Sequence, residues 1–413
     1  MQTQNADPIY EFYTNHPFPP PLYDLERTRE IWQDETVHHA EFHLLWPHKE
    51  YRADLDVLVA GCGTWQAAKY ALCHPSARVV AIDISPASLG HTRELAEKFD
   101  LNNLELRQLA IQDVAELGQQ FDLIMCTGVL HHMADPDAGL AALRSMLTPD
   151  GAMHLMVYAP YGRAGVYMFQ EYNRRLGVGT SKEEMNDLIA VLQALPKFHP
   201  LLEEQGGSRE FPNHPMLADA LLNPRDRAYS VPQLFDYVER HDLRLTRFYW
   251  QAAYLPQCGS IAKTPHAQRL ATLPQREQYL AMELWRGLMN NHTFLAHSSD
   301  AHGDELRVSF DDERYLRYVP FRLPWTTCVQ ENLPPENAGA LVNEAHLFPD
   351  LFIFVDAQEK QIYDAIDGRR TIGEIVNSVG GFEPRARDFF QKLWRYDQVV
   401  FNTSKANAAS AGV

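Results

Sequence analysis

The sequence predicts an α/β fold, a doubly wound and mostly parallel sheet of seven strands with a small domain behind it. Two observations carry this. From about residue 45 onward the hydrophobic period switches repeatedly between two, as in strands, and 3.6, as in helices, which is how a parallel sheet with crossover helices reads. The first strand also runs into a two-glycine bend, Gly61-Cys62-Gly63, and an acid, Asp83, closes the second strand 22 residues after Gly61.

Asp56–Ala60 is the first strand, a short run of apolar β-formers that suits a central, buried position. Arg78–Ile82 is the second. Ser85-Pro86 supplies a hydroxyl cap and a proline at the first helical position, opening a helix to about Phe99. Leu104–Leu109 and Phe121–Cys126 are the third and fourth strands, Asp137–Leu147 is a helix, Pro149-Asp150-Gly151 a turn and Ala152–Tyr158 the fifth strand. From Pro160 to Asp242 the pattern is mostly helical, with helices at about Gly165–Leu176, Ser181–Leu195 and Val231–His241. An excursion off the fifth strand lies beside the carboxyl ends of the sheet, where ligands bind, so this segment is the expected ligand cover. Leu243–Trp250 is expected as the sixth strand, Gln275–Ala296 as a long helix and Glu305–Phe310 as the seventh strand.

At 413 residues the chain is too long for one hydrophobic core. The expected division is a helical lead-in, 1–45, and a sheet domain, 46–318, with its helical insertion at about 160–242. A linker, 319–339, carries Pro320, Pro324, Pro334 and Pro335. A small domain, 340–404, then has helices at Ala357–Ile366, from Thr371 and at Pro384–Arg395, and a strand at Gln398–Phe401. Three short helices and a strand resemble a winged-helix unit. The Ala/Ser-rich tail, 405–413, is expected to be disordered.

A formal net charge of −17 repels a phosphate backbone, and no Lys/Arg cluster makes a local exception, so nucleic acid is not an expected partner. No run of about 18 apolar residues occurs, and Met1 to Pro8 lacks the features of a secretory signal; a cytoplasmic location without a membrane partner follows as the expectation. Cys62, Cys73, Cys126, Cys258 and Cys328 are widely separated and odd in number, which suits reduced thiols. His39 and His43 are four apart, as helical zinc ligands are, but no nearby cysteine completes a set with His38 and His48, and Glu41 is not placed as in His-Glu-x-x-His. No metal is expected.

The bend Gly61-Cys62-Gly63 joins a strand to a helix whose first N–H groups are unpaired, so backbone approaches a ligand closely there. Asp83, at the end of the next strand, is placed to accept both hydroxyls of a ribose. Dinucleotide binding asks for a third glycine at position 66, where this chain has Gln66. A nucleoside without a pyrophosphate is the reading that remains.

At these residues the chain resembles the class I S-adenosylmethionine (SAM)-dependent methyltransferases. Gly61-Cys62-Gly63 stands at the family's first motif, Val80-Ala81-Ile82-Asp83-Ile84-Ser85 at its ribose-binding acid, Phe121 through Thr127-Gly128 to His131-His132 at its fourth-strand motif, and Leu147-Thr148-Pro149-Asp150-Gly151-Ala152 at its turn into the fifth strand. The resemblance implies SAM as cofactor, a Rossmann-like methyltransferase fold, and cofactor contacts from Gly61, Cys62, Gly63, Asp83, Ile84, Ile111, Gln112, Thr127 and Gly128. Asp113 is read as an alternative helix cap. Val59 and Trp65 stand where the family commonly has an acid and a glycine, Trp65 being expected at the mouth of the cofactor loop.

Methyl transfer asks the protein to align an acceptor lone pair, exclude water and take up a proton where the nucleophile starts protonated. His132 and His131, past the fourth strand, are the candidate bases, with bracing of the following helix as the alternative. Tyr158 is the third catalytic candidate; Tyr161, Arg225 and Tyr229 are candidates for acceptor binding, against core filling for the tyrosines and an ion pair with Asp226 or Asp219 for Arg225. Tyr10, Tyr13 and Phe18 are read as a lid. The expected acceptor is a small molecule. Ile366-Asp367-Gly368-Arg369-Arg370-Thr371-Ile372-Gly373-Glu374-Ile375 resembles the PqqD-like peptide-binding winged helices, which implies a peptide or protein acceptor as the alternative; a Thr371/Glu374 capping box is the plainer account, and dimerisation is an equal candidate for this module. A non-catalytic SAM-binding regulator is the third reading, argued from Val59 and Trp65.

Overall fold

In a computed structural model the described residues are 7–204, 214–301, 303, 305–380 and 383–404. They fall into two units: Met1–Glu26, Asp54–Leu245 and Glu283–Ser298 form the first, and Arg27–Ala53, Thr246–Met282 and Ser299–Val413 the second. Neither is contiguous. The lead-in expected as one piece is therefore shared between the units, and the tail expected to be disordered lies outside the described residues.

The first unit is built on strands β1 (Asp56–Ala60), β2 (Arg78–Asp83), β3 (Leu104–Gln108), β4 (Phe121–Thr127), β5 (Leu147–Tyr158) and β7 (Asn291–Ser298), with β6 (Leu243–Phe248) running on past its boundary at Leu245. Their order is β3-β2-β1-β4-β5-β7-β6, a seven-stranded sheet. β1 to β5 pair in parallel, and β7 runs antiparallel to β5. The order reverses between β1 and β4, and that switch point is where the loops after the two strands diverge and leave a crevice at their carboxyl ends. Val57, Leu58, Val59 and Ala60 are all buried, the continuous apolar run that a strand covered on both faces requires.

Three expectations in this region are corrected. The seventh strand is not Glu305–Phe310 but Asn291–Ser298, and the helix expected over Gln275–Ala296 ends at Arg286. Gly287, at φ +67, turns the chain out of the helix, and a strand buried on both faces carries no alternation to separate it from the helical run before it. Pro149-Asp150-Gly151 is not a free turn: it lies inside β5, where the ladder to β4 passes from Phe121↔Leu147 to Leu123↔Ala152. The extra residues bulge out of the pairing.

The second unit holds the helix Glu35–Leu45, a three-stranded antiparallel sheet ordered Phe352–Val355, Gly339–Asn343, Thr326–Val329, and a ladder of Val399–Asn402 with Val319–Arg322. The helices Ala357–Asp364, Ile372–Val379 and Glu383–Arg395 pack Ile362, Ile375, Phe390 and Leu393 into one core with Leu341 and Phe401. The stretch expected as a linker thus carries strands. Its prolines misled because Pro320 sits in a two-stranded ladder, opposite Phe401, where a strand tolerates a missing donor. Asp397 is fully buried and accepts from Arg247 at 2.6 Å, the Ala252 N–H at 2.9 Å and His346 at 3.1 Å, tying the turn before the strand Val399–Asn402 to 246–252.

Candidate active site

A cavity of about 420 Å³ opens at the switch point of the first unit, within the size range of small-molecule sites. Its floor is the glycine bend. Gly61 and Gly63 adopt φ of +69 and +58, and a Cβ on Gly61 would stand 2.4 Å from Val129 Cγ2 while one on Gly63 would stand 2.7 Å from the Phe18 carbonyl oxygen. No side chain fits at either position without moving its neighbour. The bend is anchored by the Gly61 and Cys62 N–H groups, which donate to the Ile82 carbonyl at 2.8 and 3.0 Å.

Asp83 ends β2 facing that bend. One carboxylate oxygen accepts the Gly63 N–H at 2.9 Å and the other the Ser85 N–H at 2.8 Å. Burial raises its pKa, opposed by these backbone donors. A carboxylate offers about four acceptor positions, so capacity is left for ligand hydroxyls. Ser85 caps the next helix by accepting the Ser88 N–H, with Pro86 in the first turn, as the sequence predicts.

Ile84, Ile111, Gln112, Thr127 and Gly128 line the same cavity, as do Leu109 and Asp113. The apolar pair Leu109 and Ile111 beside the polar Gln112 and Asp113 makes a slot with the chemistry of a purine site. Gly128 takes φ +83, and Thr127 donates its hydroxyl to Gln66 at 3.2 Å. The lining fits SAM: Asp83 would accept from the ribose hydroxyls, Ile111 and Gln112 would meet the base, and the Gly61–Gly63 bend would take the remainder.

Toward β5 the wall changes character. His132 lies in the short helical turn Leu130–His132 and its Nδ1 is 2.6 Å from the Arg225 carbonyl, so that nitrogen carries the proton and the lone pair of the neutral ring is on Nε2. Arg225 donates in turn to Asp7 and to the His132 carbonyl, both at 3.3 Å. Its partner is therefore Asp7; Asp226 instead pairs with Arg163 at 2.7 Å. Tyr158 donates to Asp219 at 3.3 Å beneath the Arg163 guanidinium, 3.6 Å from its ring, and burial raises its pKa far enough to keep it a donor.

Four sequence candidates are not brought to the wall. Cys62 is fully buried behind the bend, and burial raises its thiol pKa. His131 is also fully buried, its ring 3.8 Å from that of Tyr158, with neither ring nitrogen partnered among the described residues; burial pushes its pKa well down and holds it neutral. Tyr161 is 41% exposed, because the chain turns outward after Pro160. Tyr229 stacks on Tyr237 at 4.9 Å. Trp65 likewise leaves the loop mouth to pack against the cluster of Leu25, Ala68 and Leu95.

The roof is the segment from Asp7 to Pro19, whose helix Pro8–Asn15 brings Ile9, Tyr10 and Tyr13 to the cavity, followed by Phe18 and Pro19. It is tied down at Ser85, which donates to the Tyr13 carbonyl at 3.0 Å, and at Thr64, which donates to the Pro19 carbonyl at 2.6 Å. Sequence reasoning named Asp219, in the helix His214–Leu222, only as an ion-pair partner for Arg225 and missed its place in the cavity. Its signal was there: a lone acid inside Leu217-Ala218-Asp219-Ala220-Leu221-Leu222 lies on a face that is otherwise apolar.

A family described as "Methyltransferase domain" matches residues 58–153. An uncharacterised protein of Synechococcus is 31% identical over 292 residues, 68% of each chain. The ubiquinone biosynthesis O-methyltransferase of Acinetobacter baylyi is 29% identical over 132 residues, 32% of this chain and 50% of that one. The tRNA 5-carboxymethoxyuridine methyltransferase of Escherichia coli is 33% identical over 164 residues, 39% of this chain and 59% of that one. The chain thus spans between half and three fifths of these two enzymes. The structure of PKMT2 from Rickettsia typhi in complex with AdoHcy covers 93% of this chain, and 77% of its own, with a TM-score of 0.62 at 15% identity, a likeness of fold.

Proposed function

We propose that the chain, whose residues 58–153 match a methyltransferase domain, is a SAM-dependent methyltransferase that methylates a small molecule seated between His132, Tyr158 and the helix Pro8–Asn15. SAM supplies an electrophilic methyl on a cationic sulfur. The observation that carries the reading is the roof: Asp7 to Pro19 is tied over the cavity at Ser85 and Thr64, which favours a compact acceptor over a large one. His132, with its Nδ1 proton given to the Arg225 carbonyl, has Nε2 as the one basic atom it can offer to an acceptor proton. Tyr158 holds its own proton and acts as a donor. Methylation of a peptide side chain is the second reading. It draws on the winged-helix-like set of helices beyond residue 340 and on the stretch Asp367 to Ile375, where Thr371 and Glu374 are already engaged in a capping box.

The test is to incubate a cell extract with methyl-labelled SAM and the full chain, and to separate the products by size. Label is expected in the low-molecular-weight fraction, and His132→Gln is expected to slow its appearance at least about tenfold, the low end of general-base contributions being larger still. Label confined to the protein fraction would move the acceptor to the second reading. Product from either fraction disposes of a non-catalytic regulator.

A further inference from the structure

Asp219 is 4% exposed and lines the cavity. One carboxylate oxygen accepts the Tyr13 hydroxyl at 2.7 Å and the Asn223 amide at 3.4 Å; the other accepts the Tyr158 hydroxyl at 3.3 Å. Among the described residues no Lys, Arg or His pairs with it. The cations nearby are otherwise engaged: Arg225 with Asp7, and Arg163 with Asp226. A buried carboxylate with only neutral donors is a poorly compensated charge, and its natural complement is a cation brought by a ligand.

Its place in the sheet says which ligand. Asp83 ends β2 and Tyr158 ends β5, and the order β2-β1-β4-β5 puts three strand spacings, about 14 Å, between them. Asp219, bonded to Tyr158, therefore belongs to the end of the cavity remote from the carboxylate that suits a ribose. The walls there are aromatic: Tyr10, Tyr13, Tyr158 and His132 line it, with the Tyr13 and His132 rings 5.9 Å apart. A carboxylate set among aromatic faces is the chemistry that holds an ammonium group, through charge and through cation–π attraction.

We propose that Asp219 is the specificity-determining residue for the acceptor, and that it selects molecules carrying a protonated amino group. This rests on the small-molecule methyltransferase reading above and names the substrate class of that site. The ammonium held here is a handle, and the methylated atom is a separate matter.

The experiment titrates n-hexylammonium and 1-hexanol, two probes of the same length, into the full chain saturated with S-adenosylhomocysteine, followed by ligand-observed NMR. The wild type is expected to bind the ammonium at least about tenfold more tightly than the alcohol, and Asp219→Asn, which still accepts from Tyr13, is expected to lose that preference while keeping its affinity for S-adenosylhomocysteine. Equal binding of the two probes by the wild type, or a preference unchanged in the variant, overturns the assignment. So does an Asp219→Asn chain that loses S-adenosylhomocysteine as well, since the carboxylate would then be bracing the site. Failure of the wild type to bind S-adenosylhomocysteine, with Asp83→Ala no different, would instead strike the methyltransferase reading.

Discussion

The imidazole of His43 sits 2% exposed in the helix Glu35–Leu45, with its ring 5.3 Å from that of Phe321 and its Nε2 unpartnered among the described residues. Burial, with a smaller contribution from neighbouring His39, lowers its pKa to about 3 against the one backbone bond to the Trp46 carbonyl. In the unfolded chain the same ring takes a proton near pH 6.5, so between about 6.5 and 3 the unfolded state binds more protons and stability falls as pH falls. His43→Phe is expected to remove up to about 1.4 kcal/mol per pH unit of that acid sensitivity, read from urea midpoints at pH 7 and 5.5; parallel pH dependence in variant and wild type would refute it. Residue-scale chemistry was legible wherever a backbone constraint imposed it. Gly61, Gly63 and Asp83 could be named because a left-handed bend and a strand end leave few alternatives. The sequence offered Asp219 only as a partner for Arg225; its bond to Tyr13, 206 positions earlier in the chain, came from the tertiary structure.

Among the elements, helix ends were read best because their caps are local. Thr371 accepts the Glu374 N–H at 3.3 Å, and Glu374 accepts the Thr371 N–H at 2.7 Å, the reciprocal box that the sequence predicts. Thr371→Ala is expected to cost about 1 kcal/mol of stability and Thr371→Ser little, measured by urea unfolding. Equal stability of all three chains would mean that the cap is idle. Strand β7 was misread for the opposite reason. His292, Phe294, Leu295, Ala296, His297 and Ser298 are all buried, so neither period two nor period 3.6 shows, and its pairing with β5 is decided by residues more than a hundred positions earlier. Beside it, Glu283 accepts from His292 at 3.1 Å and from the Val231 N–H at 2.9 Å, a buried acid placed at the start of the helix Val231–Glu239.

At the scale of the whole molecule the chain crosses between its units four times, at residues 26, 53, 245 and 282, before the last crossing at 298. Proline content and helical period do not encode such returns, which is why contiguous segments with boundaries near 45, 318 and 339 were expected. The five cysteines follow the cores: Cys62, Cys73, Cys126 and Cys258 are buried, and only Cys328 is partly accessible. Burial pushes the Cys126 thiol up to about 12 and raises those of Cys62 and Cys328. Titration with an aromatic disulfide is expected to find at most one fast thiol in the native chain and five after denaturation. Two or more fast thiols would show that a core opens readily. No helix among the described residues is long and apolar enough to cross a membrane.

The amino-acid order alone determined the parallel sheet, the glycine bend and the acid opposite it, because strands, tight turns and caps are fixed by residues within a few positions of one another. Tertiary structure decided the rest: the roof over the cavity, the tautomer of His132 and the bonding of Asp219 to Tyr13 and Tyr158. Each depends on groups far apart in the chain, and the energy that brings them together comes from burial spread over the first unit, which no single stretch of sequence records.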